Sequence, residues 1–127
     1  MRGDLLMITG PLGLRFDEGL MPHVETGEIA GYSMPTASRV KKWFDLAPVI
    51  GDDLFLKLHT HGAPERNLDP LLNVGLDNLY RWLAEEADRR GIEIHWATAW
   101  QMYRAVDALV HGRSSVPDAA LSFVETG

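Results

Sequence analysis

Apolar residues recur at helical spacing in three stretches of this chain and run together or alternate in three others, and the predicted elements follow from that contrast. Leu72, Leu76, Leu79, Tyr80, Leu83 and Ala87 form one stripe, with Glu85, Glu86, Asp88, Arg89 and Arg90 largely outside it. The stripe predicts a helix from Asp69 to Arg90. Asp69 supplies a capping carboxylate, Pro70 suits the first helical position and Gly91 supplies the stop. Val40, Trp43 and Phe44 predict an earlier helix, capped by Thr36 and ended by Pro48. Thr98 and Gln101 resemble a capping box for a last helix. Its stripe is Ala99, Met102, Tyr103, Val106 and Leu109 or Val110, and Gly112 ends it.

The continuous or alternating runs predict strands. Leu5–Thr9 is closed by Gly10-Pro11, and Leu54–Leu58 follows the turn signal Gly51-Asp52-Asp53. In Ile92–Ala97, Ile92, Ile94 and Trp96 share one face while Glu93, His95 and Ala97 share the other. Between the first strand and the first helix, Leu12 to Tyr32 keeps no period and holds Gly13, Gly19, Gly27 and Gly31. A structureless connection of that length is uncommon in a compact domain, so it is expected to be functional or a specialised excursion. The order of elements predicts an α/β fold of parallel strands with flanking helices. Three strands leave open edges and bare faces, so the chain is expected to be part of something larger or a protomer that needs a partner.

Composition acts mainly by exclusion. The 127 residues suit one domain, and 46% hydrophobic with 24% charged residues is ordinary for a globular protein. A net charge of -6 does not favour nucleic acid or an anionic membrane. The absence of cysteine excludes disulfides, thiolate catalysis and cysteine-ligated zinc, and suits a cytoplasmic setting. No apolar run approaches the roughly 18 residues that span a bilayer, and the first residues show no basic-then-apolar leader pattern. Residues 1–112 are read as the folded part and 113–127 as a loosely attached tail with a short apolar patch, Leu121, Phe123 and Val124.

Candidate chemistry gathers where the second strand must end. His59 and His61 follow Leu58, Gly62 and Pro64 break the continuation, and alternation puts both imidazoles on one side if the backbone stays extended. In parallel α/β sheets the carboxyl ends of strands collect ligands and catalytic groups. Arg15, soon after the first strand, could face the same mouth, although a surface ion pair is the plainer expectation for it. Two histidines one residue apart are also a metal-ligand spacing, with His95 as the best available third ligand.

Phe55–Ala63, the amphipathic helix after it, Gly91–Ala99 and Met102-Tyr103 together resemble the C-terminal end of polysaccharide deacetylase-like proteins, metal-dependent carbohydrate esterases on a distorted (β/α) barrel. Leu58-His59 stands where that family carries a leucine-histidine motif, and Leu5–Leu14 resembles an earlier strand and loop. The resemblance covers roughly residues 4–111. It implies a partial (β/α) barrel, a glycan substrate whose acetyl groups are hydrolysed, and a zinc-like divalent metal in the complete enzyme. It further implies His59 as general acid, with His61 and Arg15 near the substrate. The family's metal-binding aspartate and paired histidines have no counterpart here: Asp52-Asp53 precedes a strand, no His-x-x-x-His occurs, and Thr60 replaces the usual acidic residue. No metal ligand is therefore assigned in this chain, which is expected to be inactive alone and to need its missing N-terminal half or homo-oligomerisation. A non-catalytic assembly module that dimerises through an incomplete sheet, and a small metal hydrolase built on His59 and His61, stand beside that reading.

Overall fold

The computed structural model of the chain describes residues 6–16, 21–62 and 64–113. Helix α1 (Ala37–Leu46) forms as the pattern predicts: the Thr36 side chain accepts from the Arg39 N–H, and Ala47 turns extended ahead of Pro48. The long apolar stripe, in contrast, splits. A 3₁₀ turn (Glu65–Asn67) leads into α2 (Leu68–Leu72), Asn73 is extended, and α3 runs from Val74 to Arg90. The start moves upstream because proline is tolerated anywhere in the first turn, where N–H groups lack helical partners anyway. Asp69 is thus not the cap; its carboxylate accepts from the Asn73 side chain at 2.7 Å.

Gly75 makes the sharp α2–α3 corner possible. A Cβ at this position would lie 2.6 Å from both the Asp69 carbonyl oxygen and Pro70 Cα. At the other end Gly91, at φ 67°, closes α3 in the left-handed conformation. The last helix, α4 (Ala99–Val110), carries both halves of the Thr98–Gln101 capping box.

The core is helix on helix. Val40, Trp43 and Phe44 of α1 pack with Leu79, Leu83 and Ala87 of α3 and with Ile29, while Leu54, Leu56, Leu58, Trp82 and Ile94 close around them. Where α3 ends, Arg90 donates to Asp45 at 2.6 Å and lies 5.3 Å from the centre of the Phe44 ring, fixing the two helices together.

The expected parallel sheet and partial (β/α) barrel are overturned. The described residues form four helices and two antiparallel two-stranded sheets, with no parallel strands. One hairpin pairs β1 (Gly13–Phe16) with β2 (Pro22–Glu25), inside the stretch that shows no period in the sequence. The other pairs β3 (Val49–Ile50) with β4 (Asp53–Leu54), so only the start of the predicted Leu54–Leu58 strand is ladder-bonded. Leu6–Thr9 and Ile92–Ala97 join no ladder, and Leu5 and the tail from Ser114 lie outside the described residues.

The physical reason lies in the backbone. A Cβ on Gly10 would sit 2.9 Å from the Lys57 carbonyl oxygen, and one on Gly27 would sit 2.9 Å from Pro11 Cδ. Glycine and proline bring these segments together by close approach, and proline has no N–H to offer a ladder. One parallel bridge survives between Glu28 and His59, made by His59 N–H to Gly27 O (3.2 Å) and Ile29 N–H to His59 O (2.8 Å). Among the described residues no helix is long and apolar enough to cross a membrane.

Candidate functional site

The β1–β2 register places Gly13 opposite Glu25 and Arg15 opposite His23, so these four residues share one face. That face turns toward α1: Gly13 approaches so closely that a Cβ would meet Leu46 Cδ1 at 2.6 Å. It delivers Glu25, only 1% exposed, to the N-terminal turn of α1, where Arg39 is 4% exposed. Arg39 Nε donates to Glu25 Oε2 at 2.9 Å and Nη2 to Oε1 at 2.8 Å, a two-pronged pair. Arg15 Nη1 donates to the same Oε2 at 3.0 Å, and the Gly27 N–H donates to Oε1 at 3.0 Å.

Arg39 also donates to the carbonyls of Ser33 (2.6 Å), Met34 (2.8 Å) and Glu28 (2.8 Å). Its guanidinium therefore fastens the chain from Glu28 to Met34 onto α1 and stacks 4.9 Å from the centre of the Trp43 ring. Burial pushes the Glu25 carboxyl up. The Arg39 hydrogen bonds, the neighbouring Trp43 indole, the Gly27 N–H and the Arg39 charge outweigh it and bring the pKa down to about 2. The Trp43 Nε1–H itself makes no full hydrogen bond.

Above this cluster opens a shallow cleft of about 300 Å³, lined by Arg15, Tyr32, Ser33, Thr36, Ser38 and Arg39 among others. Tyr32 donates a short hydrogen bond to Glu28 Oε1, which raises its phenol pKa. Two guanidiniums converge on one buried carboxylate beneath the cleft. The Arg39 donors are committed to the protein, so its first task is structural.

The residues singled out by sequence are divided between two places. His59 and His61 are brought together, ring centroids 5.3 Å apart and edge to face, with His59 half-buried and His61 exposed. His59 shares the Gly27–Ile29 backbone with the arginine cluster, whereas Arg15 is held by Glu25. Among the described residues no group of three or more His, Asp or Glu side chains converges to hold a metal. His95, the third ligand considered, lies instead 3.7 Å from Glu93. Two imidazoles do not fit the metal site that the deacetylase resemblance implies.

Glu25, Arg39, Glu28 and Tyr32 escaped the sequence reading. Arg39 carried a signal: it falls on the same helical face as Val40, Trp43 and Phe44, and a cation on an apolar stripe calls for a buried partner. Compared with known proteins, the chain matches no family model, no curated protein and no solved structure.

Proposed function

We propose that this chain is an assembly module that associates with a second copy of itself. The observation that carries the reading is the inverted hairpin. β1 and β2 point Arg15 and Glu25 inward, and turn Leu14, Phe16 and Val24 outward at 57%, 66% and 65% exposure. Leu14 and Val24 stand directly opposite each other, so the outward face is a contiguous apolar surface rather than scattered residues. A hairpin with its charges inside and its hydrophobic residues outside is stable in water only when that outer face is covered. A closed dimer is the commonest way for like chains to cover one. A cytoplasmic setting belongs to the same proposal. Light scattering on the purified chain tests it, with a mass of two chains or more expected; a well-folded monomer at micromolar concentration would refute it.

The adjacency of His59 and His61 favours a second reading, in which the chain supplies the proton-donating side of a glycan deacetylase and is inactive alone. His59 would then protonate the departing group, a task suited to an imidazole. The chain with added zinc or cobalt is expected to leave acetylated chitooligosaccharides intact. Turnover above a metal-only blank that disappears in His59→Ala would refute inactivity of the chain alone and displace the assembly reading in favour of a self-sufficient metal hydrolase.

A further inference from the structure

The stretch Ile92–Ala97 has the sequence of a strand, yet among the described residues it has no ladder partner. Ile94 packs against the core from one side, and Trp96 meets Tyr80 edge to face at 5.0 Å. Glu93 and His95 lie together on the opposite side, 3.7 Å apart. Among the described residues, the backbone groups of 93–97 make no hydrogen bond; the Ile92 N–H is spent on Ala87 O and the Thr98 N–H on Gln101. A row of unpaired N–H and C=O groups with alternating side chains is a template for another strand.

We infer that Ile92–Ala97 pairs antiparallel with the same segment of a second copy, in a register centred on Ile94. This rests on the assembly reading above and adds a second contact to the hairpin face. The identity of the facing side chains selects the register. Opposite residues of an antiparallel pair share a face, so the two-fold axis must pass through Glu93, Ile94 or His95. Centring on Glu93 sets two carboxylates against each other, and centring on His95 sets two imidazoles against each other. Centring on Ile94 sets each Glu93 opposite the other copy's His95, and each Ile92 opposite the other copy's Trp96. A carboxylate opposite an imidazole N–H donor and an aromatic–β-branched pair are cross-strand combinations that stabilise a sheet.

The neighbouring surface is large enough to hold such a pair. Trp96 is 58% exposed, Trp100 65%, Tyr80 48% and Tyr103 37%. At roughly 150–250 Å² per aromatic side chain these four alone present roughly 300–500 Å². With Ile92 and the paired backbone, that approaches the roughly 800 Å² per partner of a standard interface. Trp100 and Tyr103 are stacked, centroids 5.0 Å apart, so their joint face needs little further ordering on binding.

The chain has no cysteine, so introduced thiols report cleanly. Glu93 is 85% exposed and His95 36% at their side chains, and neither substitution opens the core. Glu93→Cys and His95→Cys are prepared separately and oxidised mildly, alone and mixed. Opposite residues lie about 4.5–5.5 Å apart at Cα, within disulfide reach, whereas a residue and its own copy in this register stand diagonally at roughly 7–8 Å. The mixture is expected to cross-link and each variant alone is not. Self-cross-linking of either variant would move the axis and overturn the register. A dimer by light scattering that gives no cross-link in any combination would leave the assembly reading standing and remove this segment from it. A monomer would end both. If that monomer also protected the amides of 93–97 from hydrogen exchange, other parts of the same chain would be the occupant of the edge.

Discussion

Glu25 sits in a position where a change of one proton is felt by the whole N-terminal half. Its carboxyl titrates near 2 in the folded chain against 4.5 when unperturbed. A depressed folded pKa means stability that is complete above about 4.5 and lost as pH falls toward about 2, amounting to roughly 3 kcal/mol at most. Urea melts between pH 7 and pH 3 should show this decline, and Glu25→Gln should flatten it. At pH 7 the same substitution leaves Arg39 buried without its counter-charge, and the expected loss is roughly 3–5 kcal/mol. His59 contrasts with Glu25. Its backbone bridges Glu28, but its side chain is half-buried and rests against the exposed His61 ring. Accordingly His59→Ala is expected to change stability by less than about 1 kcal/mol. A loss of several kcal/mol in a thermal melt would make this imidazole a packing residue rather than a site residue.

Elements are held in this protein by corners and caps more than by ladders. Replacing a helical glycine with alanine ordinarily stabilises by about 1 kcal/mol. Gly75→Ala should do the reverse, because the added Cβ would press on Asp69 O and Pro70 Cα at 2.6 Å. A loss of about 1–3 kcal/mol in a denaturant melt is expected, with α2 displaced from α3. Helix α4 buries Val106 alone, so its start depends on local chemistry. Removing the side-chain half of the Thr98–Gln101 capping box with Thr98→Ala should cost about 1 kcal/mol. Faster amide exchange confined to α4 would show that loss directly.

The whole molecule is short of covered surface. The exposed apolar face of the hairpin and the aromatic group around Trp96 each lie outside the α1–α3 core. If the hairpin face is an interface, Leu14→Ser combined with Phe16→Ser should weaken association, seen by light scattering as a lower mass at micromolar concentration. The folded monomer should keep its stability within about 1 kcal/mol, since both side chains are more than half exposed before association. A double variant that associates undiminished would exclude this face from the contact.

Local signals in the sequence were sufficient for α1, α4 and the end of α3, but not for the α2–α3 corner. Thr36, Gly91, Gly112 and the Thr98–Gln101 pair mark ends that depend on a few neighbouring residues, and those ends stand where the pattern puts them. His59 and His61 also meet, because only one residue separates them in the chain. Pairing was beyond local signals. A run such as Leu54–Leu58 or Ile92–Ala97 is apolar enough to be a strand, but a strand exists only with a neighbour in register, and here close contacts at Gly10, Gly27 and Pro11 replace the ladder. For the same reason the hairpin inside Leu12–Tyr32 left no periodic trace: its outward face is apolar, and its inward face is charged because Arg39 awaits Glu25 across the fold. The sequence by itself determined α1, α4, the C-terminal end of α3 and the adjacency of the histidines. The tertiary structure alone decided which strands pair and where the buried charge lies, since both depend on contacts between residues far apart in the chain.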